Sequence, residues 1–181
     1  MHPSLSDTPA LSRRGLLKFS LGASAFLATA GLGASLGGCS SSAPANGFTA
    51  LRSGDLSFLH ALVPVMLDGA VTAASMPDAV EGTLKSLDYN LDHLSPEMLK
   101  LTRQLFDVLN LSLTRGPLTG VWGAWEQASA AQVTAFLQRW QDSSLNLLRM
   151  GHASLLQLLQ MAWYERPESW AACGYPGPPK I

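Results

Sequence analysis

Charge is scarce in this chain. Only 14% of its 181 residues are Asp, Glu, Lys or Arg, and its 12 basic side chains are offset by 13 acidic ones. No basic patch follows from that balance, so nucleic acid is not an expected partner. Cysteine is scarcer, at two residues, Cys39 and Cys173. There is no Cys-x-x-Cys-His for haem attachment and no Cys/His cluster with metal-ligand spacing. A Gly-rich strand-to-helix turn for dinucleotide phosphates is also missing: Gly31-Leu32-Gly33-Ala34-Ser35-Leu36 lacks the third glycine. Runs of alternating β-branched residues long enough for a strand are absent, as are internal repeats.

What is present begins near the N-terminus. Ser12-Arg13-Arg14-Gly15-Leu16-Leu17-Lys18 precedes a moderately apolar segment, Phe19 to Leu36. Ser12, Arg13, Arg14, Leu16, Leu17 and Lys18 have the order of a twin-arginine export signal, and the Gly, Ala and Ser content of the apolar segment makes it a weak membrane span. Twin-arginine transport carries folded proteins, so the chain is expected to cross the membrane folded or bound to something folded. Two cleavage sites are open. Leu36-Gly37-Gly38-Cys39 has the form cut by lipoprotein signal peptidase, which would leave a lipid on Cys39; Ala43-Pro44-Ala45 has the small-x-small form of ordinary signal peptidase. The first is favoured, because Cys39 has no other evident purpose in a Ser/Gly-rich stretch. With Ser40 and no aspartate after the cysteine, a lipidated chain is expected at the outer membrane, facing the periplasm.

From Cys39 onward nine basic and twelve acidic residues give a net charge of about −3, in a segment of about 140 residues, the size of one domain. The expected organisation is a signal peptide over 1–39, a flexible linker over 40–54, a helical domain over 55–164 and an irregular tail over 165–181. Asp55 is expected to cap a first helix carrying Leu56, Leu59, Val63, Met66 and Ala70, interrupted by Pro64. Pro77 opens a second with Val80, Leu84, Leu87 and Leu91. Ser95-Pro96-Glu97 starts a third, with a stripe of Leu101, Leu105, Leu109 and Leu113 that Arg115-Gly116-Pro117 ends. A Trp-rich segment follows from Leu118 to Trp125. Ser129 caps a fourth helix with Val133, Phe136, Leu137 and Trp140, and Ser143 or Ser144 opens a long fifth with Leu145, Leu148, His152, Leu155, Leu156, Leu159 and Trp163. The fold class is all-α, a small helical bundle; Pro167, Pro176, Pro178 and Pro179 argue for an irregular C-terminal tail.

The tail reads Trp163-Tyr164-Glu165-Arg166-Pro167-Glu168-Ser169-Trp170-Ala171-Ala172-Cys173-Gly174-Tyr175-Pro176-Gly177-Pro178-Pro179. It closely resembles the C-terminal signature of the gluconate 2-dehydrogenase subunit 3 family, the small subunits that accompany flavin-dependent sugar and alcohol dehydrogenases. The resemblance extends upstream through Phe136-Leu137-Gln138-Arg139-Trp140 and the helix after Ser143, over roughly residues 50 to 179. It implies a helical, non-catalytic subunit that supplies the export address for a large flavin-dependent dehydrogenase subunit and supports its folding. FAD would reside in that partner and not in this chain, and electrons would pass to a cytochrome c subunit. From the residues alone, a stiff Pro/Gly strip with large amphipathic rings suits a partner's groove, which marks Trp163, Tyr164, Trp170, Cys173, Tyr175, Pro176, Gly177 and Pro178 as partner-binding candidates. The same rings can pack back across the chain's own bundle.

No catalytic, cofactor or metal residue stands out. His152 is expected as a buried, hydrogen-bonded core histidine, and His60 and His93 have no local carboxylate or serine forming a motif. Glu126, Glu165 and Glu168 are expected at solvated helix ends. Cys173 is either a disulfide to another chain or a buried free thiol. The alternative functional reading is a stand-alone helical envelope lipoprotein that binds a ligand or another protein; an enzyme in its own right fits least.

Overall fold

The computed structural model describes residues 43–179. The export motif and Cys39 lie outside them. The described part is all-α, with α1 (Ser53–Met66), α2 (Met76–Asp92), α3 (Pro96–Asn110), α4 (Ser112–Thr119), a 3₁₀ turn at Trp125–Gln127, α5 (Ala130–Gln141), α6 (Asn146–Tyr164) and α7 (Pro167–Cys173). No helix among these residues is long and apolar enough to cross a membrane.

Helix α1 is apolar over most of its surface, and a helix of that kind belongs inside. It packs against α2, α3, the 3₁₀ turn and α5, burying Phe58, Leu59, Leu62 and Val63. A chain of aromatic rings crosses this centre: Phe106 to Phe58 at 5.0 Å, Phe58 to Trp125 at 6.3 Å, Trp125 to Phe136 at 5.9 Å and Phe136 to Trp140 at 5.0 Å. Tilted and edge-on geometries predominate, as ring quadrupoles favour. Both indoles also close helix ends. Trp125 Nε1 donates to the Leu109 carbonyl and Trp140 Nε1 to the Leu118 carbonyl, each at 2.9 Å, satisfying acceptors in the last turns of α3 and α4. Helix α6 completes the bundle by packing along α2 and α5.

Several expected boundaries move, each for a physical reason. Asp55 is not the cap of α1. Arg52 holds that position, and Asp55, three residues on, accepts the Arg52 backbone N–H at 3.0 Å and its guanidinium through Nε and Nη2 at 2.9 Å each. Arg52 also reaches Asp107 at 2.7 Å, and Asn110 donates to Asp55 at 2.9 Å, so the start of α1 is tied to α3. The carboxylates raise the Arg52 pKa, led by the hydrogen bond to Asp55, with burial opposing. Pro64 does not interrupt α1; the helix runs past it to Met66 although the ladder lacks the Pro64 N–H.

The stretch expected as a flexible linker over 40–54 is folded from residue 43. Pro44 and Arg52 form an isolated antiparallel bridge, Ala45 N–H donates to the Leu51 carbonyl at 2.8 Å, and Leu51 is fully buried. Asp88 of α2 accounts for this: its carboxylate accepts the backbone N–H groups of Thr49, Ala50 and Leu51, all at 2.8 Å. Lys85 adds a hydrogen bond to the Gly47 carbonyl and lies 3.8 Å over the Phe48 ring.

On α3 the buried residues are Thr102, Phe106 and Leu109, and Leu101 is 59% exposed. A strict four-residue spacing turns about 40° per step on a 3.6-residue helix, so the row reaches the buried face only at Leu109, and Leu113 lies on the next helix. The third helix also ends earlier than expected, at Asn110. Residues 112–119 form α4, which runs through Gly116 and Pro117 and closes on Gly120 in the left-handed region at φ 84°. Helix α6 starts at Asn146 rather than at Ser143 or Ser144, leaving Leu145 exposed off its apolar face. The expected irregular tail contains α7, because Pro167 occupies a first-turn position where a fixed φ helps and no N–H is needed.

Candidate functional site

The C-terminal segment folds as a clasp on one end of α6. Trp163, the last core residue of that helix, is 6% exposed and belongs to the bundle. It is therefore not a free anchor for a partner, a correction forced by its place on the same stripe as Leu155 and Leu159. Tyr164, next in sequence and about 100° round the helix, is 55% exposed. The chain then turns into α7. Trp170 is half-buried: its indole donates to the Tyr164 carbonyl at 2.9 Å, and its ring meets Tyr175 edge-on at 5.4 Å. Tyr175 N–H donates back to the Trp170 carbonyl at 3.0 Å, and Gly177 lies against the same indole ring. Tyr175 itself is 48% exposed, with Pro176 and Pro178 exposed beside it. One side of the segment packs on the bundle while its other side presents tyrosines and prolines to solvent.

Cys173 is an exposed free thiol whose Sγ lies 3.3 Å from the Trp170 carbonyl. Of its two expected states, the buried one is excluded by that exposure.

Arg166 locks the clasp. Its guanidinium lies so close to Gly82 of α2 that a Cβ there would sit 2.0 Å from Arg166 Cζ. One nitrogen pairs with Glu168 at 2.7 Å, while Nε is buried without an acceptor among the described residues. Asn90 at the far end of α2 donates to Glu165 at 3.0 Å, so Glu165 and Glu168, two of the three glutamates expected at solvated ends, also make contacts. Beside the clasp, Ala70, Val71, Ser75 and Asp78 join Trp163, Arg166 and Glu168 in lining a groove of about 390 Å³. The composition of the tail signals the exposed tyrosines; nothing local signals that Gly82 receives Arg166.

The histidines stand in separate settings. His152 is half-buried on α6, with no hydrogen bond to its ring among the described residues; burial lowers its pKa, and the Asp142 charge opposes that shift. It is thus less enclosed than expected and lacks the expected hydrogen bond. His93 stacks on Tyr89 at 4.1 Å and makes a 2.8 Å contact with the Tyr89 carbonyl. His60 lies 3.7 Å from Glu81, a partner on another helix that the sequence did not reveal. Among the described residues no three His, Cys, Asp or Glu side chains converge as a metal-holding group.

A second concave surface, of about 530 Å³, lies where α1 meets the 3₁₀ turn and the start of α5. Here Glu126 is exposed at the rim, its pKa lowered first by a hydrogen bond from Ser57.

No protein-family model, curated protein or solved structure matches the chain.

Proposed function

We propose that this chain is a non-catalytic small subunit of a periplasmic, flavin-dependent sugar or alcohol dehydrogenase of the gluconate 2-dehydrogenase kind. It supplies the twin-arginine signal at Ser12–Lys18 and supports the folding and stability of a large catalytic subunit that carries FAD. The observation that carries the reading is the Trp163–Pro179 signature, whose exposed side, with Tyr164, Cys173, Tyr175 and Pro176, is of the aromatic and rigid kind enriched at binding hot spots. Its packed side, held by Trp163, Arg166 and Trp170, means that little ordering entropy is lost on binding.

The fold also bears on where the signal is cut. A twin-arginine substrate arrives folded, and Ala45 is buried with its N–H given to Leu51. A peptidase cutting after Ala45 would have to peel away that folded bridge, which supports processing at Cys39 and a lipid anchor there.

Replacing both Tyr164 and Tyr175 by Ala keeps the fully buried residues and removes the two exposed rings, along with the edge contact of Tyr175 on Trp170. The double variant is expected to keep its helical circular dichroism while affinity for the dehydrogenase falls by at least thirtyfold, about 2 kcal/mol. Unchanged co-purification with the dehydrogenase would place the interface elsewhere.

A further inference from the structure

Helix α4 and the loop that follows it present an apolar surface with almost no charge. Leu113, Gly116 and Pro117 have the i, i+3, i+4 spacing of one helix face, and the Trp122 indole lies on that face, so close to Gly116 that a Cβ there would sit 2.5 Å from the ring. Leu113 is 75% exposed and Trp122 76%. From Val108 to Trp125 the one charged residue is Arg115, and the acids on either side are engaged, Asp107 with Arg52 and Glu126 with Ser57. No carboxylate interrupts the face.

The same end of the bundle receives the start of the folded chain. Pro44 bridges to Arg52, Arg52 reaches Asp107 at 2.7 Å, and Asn110, two residues before α4, donates to Asp55 at 2.9 Å. The described fold begins at residue 43, four residues after Cys39. Four extended residues span at most about 14 Å, a short tether for a domain of this size. A lipid on Cys39 would therefore hold this end of the bundle at the membrane.

We propose that the face formed by Leu113, Pro117 and Trp122 seats in the headgroup region of a lipid bilayer, the lipid on Cys39 supplying the anchor and the face fixing how the domain is turned. The length and origin of the tether select this occupant, because the bilayer is what the anchor brings to that end. Composition agrees: indole rings favour the membrane interface, and a leaflet with anionic headgroups repels the carboxylates that this stretch lacks. The seating is interfacial, since no described helix is long and apolar enough to cross. The inference rests on the lipid proposed at Cys39, and not on the tail or the dehydrogenase.

The test uses the protein extracted from producing cells and reconstituted in vesicles of phosphatidylethanolamine and phosphatidylglycerol, with bromine on the acyl chains of one set to quench indoles that reach them. Mass spectrometry of the peptide containing Cys39 reports the lipid separately. Trp125, Trp140 and Trp163 are buried in the bundle, so quenching by brominated vesicles is expected to come from Trp122. It should vanish in Trp122→Phe, which keeps the face apolar, and in Leu113→Glu, which does not; Leu113 is exposed, so both variants should keep the lipid and the helical circular dichroism. A lipidated parent without quenching, or quenching that survives either substitution, would overturn the assignment of this face. A Cys39 peptide without lipid would overturn it through the anchor instead. Loss of the dehydrogenase from Leu113→Glu with quenching unchanged would make the face a protein interface and also defeat the proposal.

Discussion

Asp88 shows how one side chain sets a boundary. It sits among Leu84, Leu87 and Leu91 on the buried face of α2, and an acid in that row is tolerated only with partners. The partners are three backbone N–H groups of residues 49–51, which draw the preceding segment into the core. That acid among leucines is the legible signal; a Ser/Ala/Gly composition read as a tether conceals it. Asp88→Ala leaves those donors without an acceptor, and about 3 kcal/mol of stability should be lost in urea unfolding. A loss below about 1 kcal/mol would mean that the segment is held by other means. His152 gives a pH dependence. Its pKa is depressed from the ordinary 6.5 by burial, so the folded state favours neutral imidazole. Its contribution is fully present above pH 6.5 and is lost as pH falls through the window beneath that value. The thermal midpoint should therefore fall between about pH 7 and about pH 5. His152→Gln should flatten that decline, and an equally steep curve in the variant would assign it to other groups.

At the scale of elements, caps and proline positions were readable because they act locally. Ser95 accepts the Met98 N–H and Ser129 the Gln132 N–H, as expected of caps before α3 and α5. Where tertiary contacts decide, local reading failed. The end of the long helix at Tyr164 is legible, but the break at Leu111 and the short helix α7 are not, because Gly116-Pro117 and Pro167 are found inside or at the start of helices as well as in loops. The long-range lock between α2 and the clasp is invisible for the same reason: Gly82 matters only because Arg166 lies on it. Gly82→Ala therefore separates two effects. In an isolated helix the change adds about 1 kcal/mol of stability. Here the new Cβ displaces the guanidinium, so α7 should lose protection in hydrogen exchange while α2 keeps its own. Unchanged protection of residues 167–173 would show that the clasp does not depend on Arg166.

For the molecule as a whole, the all-α class followed from periodicity and the absence of strand patterns, and the described structure has that class. The candidate surface was legible in part: Tyr164, Cys173, Tyr175 and the prolines are exposed, whereas Trp163 belongs to the core because the helical stripe continues through it. Further apolar side chains lie open to solvent, among them Trp122, Leu113, Leu147 and Met150. The proposed role is that of a chain that works against a partner. The most direct measurement of that claim is on Arg13→Lys/Arg14→Lys, which keeps the charge of the export motif but not its pair of arginines. Flavin-dependent dehydrogenase activity and this chain should both be retained in the cytoplasm of the variant and both be periplasmic in the parent. Normal periplasmic dehydrogenase activity with this chain retained inside would contradict the account.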